Sequence, residues 1–253
     1  MTGDFLALLE KNRIQAPAVG GTPEWTPLQA TTVFAFHCAE GVIIAGDHRA
    51  TAGNIVFSDR TEKILELDSH SLMAIAGVPA TAFEMARTLQ TTFEYYRRSQ
   101  LQPMSLPAKL RALSKLLRDN LPATLQGVGA VSPLFAGVEI GEAAAKPGIW
   151  FYDPLGAQFE AAAYAGSGSG SGAIKSVLHY LENWGSPRPA EMPLGKAVAL
   201  ANRLLMTAAE FDTATGGVHP DQQDFATIRL LSAQGIRGVS KAEQEQFWKE
   251  GAR

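Results

Sequence analysis

The chain has 253 residues, 46% of them hydrophobic and only 19% charged, with a formal net charge of −3. That balance carries no electrostatic footprint for nucleic acid or an anionic membrane surface, and the low charge content predicts that part of the surface is covered by partner chains. A single cysteine, Cys38, excludes an internal disulfide framework and a multi-cysteine zinc site.

The N-terminal stretch MTGDFLALLEKNR places an acid where a signal peptide carries basic residues, and no apolar run approaches the roughly twenty residues that span a bilayer. The expected location is the cytoplasm. Residues 1–30 end in IQAPAVGGTPEWTPLQA, a loop rich in Pro, Gly and Thr that reads as appended to the core. From Thr31 the character changes. TTVFAFHC, GVIIAGD, KILEL and SLMAIAG are short apolar runs punctuated by Gly, Asp and Ser, the pattern of antiparallel strands.

Phe83, Ala86, Leu89, Phe93 and Tyr96 then recur at three- and four-residue steps, which predicts an amphipathic helix over 79–100 ending in basic residues. Leu106, Leu110, Leu113, Leu117 and Leu121 repeat the spacing in a second helix with Ser105 as its N-cap. Strands return in LFAGVEI, GIWFYD and QFEAAAYA, helices in AIKSVLHYLENW and LGKAVALANRLLMTAAEFD, and strands again in FATIRLLS and GIRGV. KAEQEQFWKE closes the chain as a short polar helix. Helices that arrive in sequential pairs argue against a doubly wound parallel sheet and for an α+β fold of two sheets faced by helix pairs.

Taken singly, the motifs are ambiguous. Thr31 and Thr32 read as strand-start threonines. GSGSGSG, from Gly166 to Gly172, reads as a linker by composition but as a tight strand-to-helix turn by position. It is not a P-loop, because Lys175 stands three residues after Gly172; Gly168, Gly170 and Ala173 match a dinucleotide fingerprint only loosely, and the order of strands and helices is wrong for that fold. DTATGG, from Asp212 to Gly217, reads as a helix end and turn. Lys63 reads as an exposed strand-edge lysine; pointed inward it would need a carboxylate, for which Asp47 is the candidate. The histidines show no metal-ligand spacing, and His48 reads as an exposed loop residue.

Together the motifs are more specific. TTVFAFHCAEGVIIAGDHRATAGN, Lys63, AIAG ending at Gly77, GSGS and DTATGG stand in the order and approximate spacing of a proteasome β subunit, and resemble most the actinobacterial type of bacterial 20S proteasome over residues 31–240. The resemblance implies an N-terminal nucleophile hydrolase: a four-layer αββα sandwich of two antiparallel sheets between helix pairs. Residues 1–30 become a propeptide cleaved between Ala30 and Thr31, and 31–253 the catalytic domain. Thr31 is then the nucleophile, with its own α-amine as base. Lys63 lies beside it, Asp47 holds Lys63, and Gly77 donates its backbone N–H to the oxyanion. Ser169 and Asp212 surround the amine with Thr215 in support, while Arg49 is structural. Ser167 and Ser171 are alternative registers for Ser169, which keeps Lys175 at the family spacing. The family usually carries Gly before the nucleophile, where this chain has Ala30.

The positions matching the first specificity pocket, Ala50, Leu65, Ile75 and Pro79, are uncharged and imply cleavage after hydrophobic residues. The resemblance further implies no cofactor or metal, a homo-oligomeric β ring of seven subunits, α-subunit rings, a regulatory ATPase acting through them, and unfolded proteins as substrates. Alternatives are an α-free ring protease, HslV-like or of the ancestral β type, and an unprocessed, non-catalytic ring scaffold.

Overall fold

The computed structural model describes residues 29–30, 32–52, 55–141 and 145–251. Thr31 and residues 1–28, hence the expected nucleophile and most of the expected propeptide, lie outside that set.

The described chain runs β1 (Gln29–Ala30), β2 (Thr32–Cys38), β3 (Gly41–Gly46), β4 (Ala50–Ala52), β5 (Ile55–Ser58), β6 (Ile64–Asp68), β7 (Ser71–Ala74), α1 (Pro79–Gln100), α2 (Leu106–Asp119) and α3 (Leu121–Leu125). It continues through β8 (Leu134–Gly137), β9 (Gly148–Tyr152), β10 (Gln158–Ala161), β11 (Tyr164–Gly168), α4 (Ser171–Trp184), α5 (Leu194–Phe211), β12 (Thr227–Ser232), β13 (Gly235–Gly238) and α6 (Lys241–Gly251). Two five-stranded sheets result, ordered β11-β2-β3-β12-β13 and β10-β9-β8-β7-β6, with antiparallel neighbours throughout.

Strand alternation assigns each side chain to a layer. Val33, Ala35, Val42 and Ile44 of the first sheet meet Leu72, Ala74, Leu134, Ala136 and Ile149 of the second in a dry core between sheets. Phe34, Phe36, Ile43 and Ala45 point the other way, onto Ile174 and Leu178 of α4 and Ala197, Ala201, Leu204 and Leu205 of α5. Met73, Phe135 and Tyr152 face Ala82, Leu89 and Phe93 of α1 and Leu110, Leu113 and Leu117 of α2. This is the expected αββα sandwich. Both faces of the central strands are buried, which is why they read as continuous apolar runs rather than alternating ones.

Two local expectations are corrected, and one sheet is added. QFEAAAYA is two strands: β10 pairs with β9 and β11 with β2, so the chain crosses between sheets inside one apolar run. Ser105 stands at the N-cap position of α2 without a side-chain capping bond; the Glu139 carboxylate, at 2.7 Å, accepts the Leu106 N–H instead. A third, small sheet, β1-β4-β5, was not legible because its strands are two to four residues long.

Two polar clusters lock the helices. Lys109 of α2 reaches Asp68 at 2.7 Å and Ser71 Oγ at 3.1 Å. On the opposite face, buried Asn202 of α5 accepts the Ala226 N–H and donates to Gln244 of α6, whose amide donates to Ala226 O and Val239 O. The C-terminal helix is thereby tied to the start of β12.

The strand ends gather at one end of the sandwich. The start of β2, the end of β3, the residue before β6, the segment after β7, the β11–α4 turn and the residue after α5 bring Thr32, Asp47, Lys63, Gly77, Ser169 and Asp212 to that end.

Candidate active site

Asp47, just beyond β3, is the organising carboxylate. Its Oδ1 accepts Lys63 Nζ at 2.5 Å and the Thr32 N–H at 3.2 Å; its Oδ2 accepts the backbone N–H groups of Gly216 at 2.7 Å and Arg49 at 3.0 Å. The Lys63 and Asp47 side chains are 0% and 1% exposed. A buried charge requires this kind of saturation, and all four donors are satisfied by one carboxylate. Lys63 is therefore not the exposed edge lysine that its local sequence suggests. Burial pushes its pKa below the ordinary 10.5, with the Asp47 charge opposing that fall and the Arg49 charge adding to it.

The second cluster centres on Asp212, at the C-terminus of α5. Its Oδ2 accepts the hydroxyls of Ser169 and Thr215, each at 2.6 Å, and its Oδ1 accepts the Ala214 N–H at 3.2 Å. The three serines of the glycine-serine turn have different surroundings: Ser167 donates to Ser132 O, Ser171 is the buried first residue of α4, and Ser169 reaches Asp212. Thr215 Oγ1 also lies 2.5 Å from Thr32 Oγ1, which accepts the Gly170 N–H at 3.2 Å. Gly170 has to be glycine here, since a Cβ would stand 2.3 Å from Thr215 Oγ1 and 2.7 Å from Thr32 Oγ1. The linker reading of the turn is thereby set aside in favour of a close-approach turn.

Gly77 follows β7 with φ +108°, and a Cβ there would meet Ala130 O at 2.2 Å. Its bridge to Val131 uses the Ala76 carbonyl and the Val78 N–H, as acceptor of Ser132 N and donor to Ala130 O. In that antiparallel pattern the N–H of Gly77 itself points away from the Val131 segment.

Among the expected pocket positions, Ala50, Ile75 and Pro79 are buried and Leu65 is half-buried; Ile75 and Leu65 belong to the apolar layer under α1. Arg49 binds Asp59 at 2.9 Å and Thr213 O at 3.2 Å, pinning the DTATGG turn to the loop after β3. His48 is half-buried rather than exposed: its Nε2 lies 2.7 Å from Thr227 Oγ1, at the start of β12. Among the described residues no group of three or more His, Cys, Asp or Glu is placed to hold a metal ion.

The residue that sequence reasoning missed is Thr32. Its signal was present, a second hydroxyl in an otherwise apolar strand, but it was counted with Thr31 as a strand-start residue.

The family model described as "Proteasome subunit" matches residues 28–219, which include every residue of the Asp47 and Asp212 clusters. The chain belongs to the proteasome subunit family. It is similar to "Proteasome subunit beta 2" of Thermomonospora curvata, 35% identical over 247 residues that cover 96% of this chain and 85% of that protein. It is likewise similar to "Proteasome subunit beta" of Stackebrandtia nassauensis, 36% identical over 217 residues covering 85% and 75%, and of Acidothermus cellulolyticus, 35% identical over 247 residues covering 94% and 81%. As a 20S proteasome β subunit the chain is part of a multi-subunit protease assembly built with β rings. No helix among the described residues is long and apolar enough to cross a membrane.

Proposed function

We propose that this β subunit is an N-terminal threonine endopeptidase, in which Thr31, freed by removal of residues 1–30, attacks the peptide bonds of unfolded proteins. The observation that carries the proposal is the grip on Thr32. Its N–H, one covalent bond from the Thr31 carbonyl carbon, binds the same Asp47 oxygen that holds Lys63 Nζ. Thr32, the residue bonded to Thr31, is thus held at the buried Asp47–Lys63 pair.

A hydroxyl is a weak nucleophile near pH 7 until a base takes its proton. Once Ala30 is removed, the α-amine of Thr31 is that base; a free α-amino group ordinarily has a pKa of about 7.7–8.0, so part of it is unprotonated near pH 7. The Lys63 ammonium favours both the neutral amine and the developing alkoxide, and Asp47 fixes the ammonium in place. Oγ of Thr31 adds to the scissile carbonyl carbon, its proton passes to the amine, and the oxyanion takes the Gly77 N–H. Collapse breaks the C–N bond, the leaving amine carries off the proton, and an ester to Thr31 remains. Water, deprotonated by the same amine, hydrolyses it. Ser169, Asp212 and Thr215 hold the amine in register. No cofactor enters this sequence.

The leader backbone supports the substrate mode. Gln29 and Ala30 pair antiparallel with Thr51 and Ala50 of β4. Removing the leader frees that edge for an extended peptide, with Ala50, Leu65, Ile75 and Pro79 forming an apolar first pocket. Confinement in a heptameric β ring, capped by α rings and fed by a regulatory ATPase in the cytoplasm, would supply the selectivity the pocket lacks. Fluorogenic peptides test the reading: the assembled protein should cleave after Leu or Tyr faster than after Arg or Glu, and Thr31→Ala should abolish turnover. Faster cleavage after Arg or Glu would contradict the pocket assignment.

The pH profile follows from the same groups. Turnover should fall on the acid side as the amine is protonated, and on the alkaline side below pH 10.5, where the buried Lys63 ammonium is lost. Stability moves the opposite way. Between the lowered native pKa of Lys63 and 10.5 the unfolded chain holds a proton that the folded chain has released, so this group adds stability as pH rises. An alkaline limb at or above pH 10.5 would contradict the role given to Lys63.

A further inference from the structure

We infer that Thr32 is a positioning residue, a bracket that joins the Asp47–Lys63 pair to the Asp212 cluster and so restrains the residue bonded to it, the proposed nucleophile Thr31. The inference rests on the reading of Thr31 as nucleophile and assigns its neighbour a role in the same reaction.

The proton directions are fixed by counting. Thr215 Oγ1 donates to Asp212 Oδ2, and a hydroxyl has one proton, so in the 2.5 Å contact with Thr32 it is Thr215 that accepts and Thr32 that donates. Thr32 Oγ1 in turn accepts the Gly170 N–H. A directional chain results, from Gly170 N–H through the Thr32 and Thr215 hydroxyls to the Asp212 carboxylate, where the Ser169 hydroxyl also ends.

The backbone of Thr32 is held as firmly on the other side. Its N–H binds Asp47 Oδ1 beside Lys63 Nζ, and its carbonyl accepts the Asp47 N–H at 3.3 Å. Side chain, N–H and carbonyl are thus all anchored to the site. Thr32 is 0% exposed, so it meets neither bulk solvent nor substrate. A packing role alone would be served as well by valine, which has the same shape. Valine, however, would leave the Gly170 N–H without its acceptor and Thr215 without its incoming donor, freeing both clusters to shift against each other. Small displacements of a nucleophile cost rate far more than they cost binding.

The test is steady-state hydrolysis of a hydrophobic fluorogenic peptide by assembled proteasomes carrying Thr32→Val, Thr32→Ser, Thr215→Val or Thr32→Val with Thr215→Val. We expect Thr32→Val to lower kcat about tenfold or more with KM within about twofold of wild type, because it breaks the chain of hydrogen bonds that ends on the Asp212 carboxylate and lets the proposed nucleophile shift. Thr32→Ser should restore most of the rate. The double variant should fall no lower than the worse single one, since both break one chain. Melting temperature and native mass establish that each ring has assembled. Should Thr32→Val fail to assemble, Thr32→Cys, similar in size but a weak donor, carries the same comparison. Wild-type kcat in Thr32→Val, or effects of the two substitutions that multiply, would overturn the bracket and leave the nucleophile reading intact. A wild-type assembly that turns over no peptide would overturn both.

Discussion

Replacing Lys63 by alanine is expected to abolish peptide turnover and to destabilise the folded chain by about 3–5 kcal/mol. Burial and saturation produce the second effect. The Asp47 side chain is 1% exposed and accepts four donors; removing Lys63 takes away the ammonium bound to Oδ1 and leaves a buried carboxylate without its ion-pair partner. At about 2–4 °C per kcal/mol for a domain of this size, the melting temperature should drop by roughly 10 °C. The paired replacement Asp47→Asn with Lys63→Met separates charge from packing. It removes both charges together and should recover part of the stability and none of the activity. Asp47→Asn alone should not be mild, because an amide has one acceptor oxygen where the carboxylate presents two, and its NH₂ would be forced against a backbone N–H. A Lys63→Ala protein with wild-type melting would contradict the burial argument; one that still hydrolyses peptides would contradict the role of the ammonium.

Gly77→Ala is the second substitution with a large expected effect. The added Cβ would sit 2.2 Å from Ala130 O and 2.9 Å from Val131 Cα, both backbone atoms, at φ +108°. The strand end must move, and the N–H that the proposed mechanism aims at the oxyanion moves with it. Loss of one such donor costs about 10²–10³ in kcat. Gly127 provides the control: it too has positive φ, +75°, but a Cβ there meets nothing within 4 Å. Gly127→Ala should therefore cost about 1–2 kcal/mol of backbone strain and leave kcat untouched. If Gly77→Ala kept its kcat while losing stability, the glycine would be structural only.

The layers of the sandwich were legible because they follow from side-chain period. The helical spacing of Phe83, Leu89 and Phe93 marks α1 from Pro79 to Gln100 without error at either end, since proline opens it and paired arginines close it. QFEAAAYA was opaque for a physical reason: an apolar run carries no mark of which sheet pairs with which half of it. The site shows the same division. Lys63 looked exposed because its partner lies 16 positions away, and only the resemblance brought Asp47 to it. His48 looked exposed because Thr227, 179 positions on, was out of view. Thr32 is the limiting case. Its hydroxyl is bound by residues 138 and 183 positions distant, so nothing in the neighbouring sequence distinguishes it from a threonine placed for β propensity. Ala30 adds a further departure, because its methyl group stands where the family usually has none, at the bond whose cleavage supplies the amine.

That bond is where the account is most exposed to contradiction. Intact mass of the chain, taken from assembled proteasome that hydrolyses peptide, measures its fate directly. The account predicts a wild-type chain that begins at Thr31 and a Thr31→Ala chain that keeps residues 1–30. A wild-type chain that remains full length while the assembly turns over peptide would contradict it, since Thr31 would then have no free amine to serve as its base.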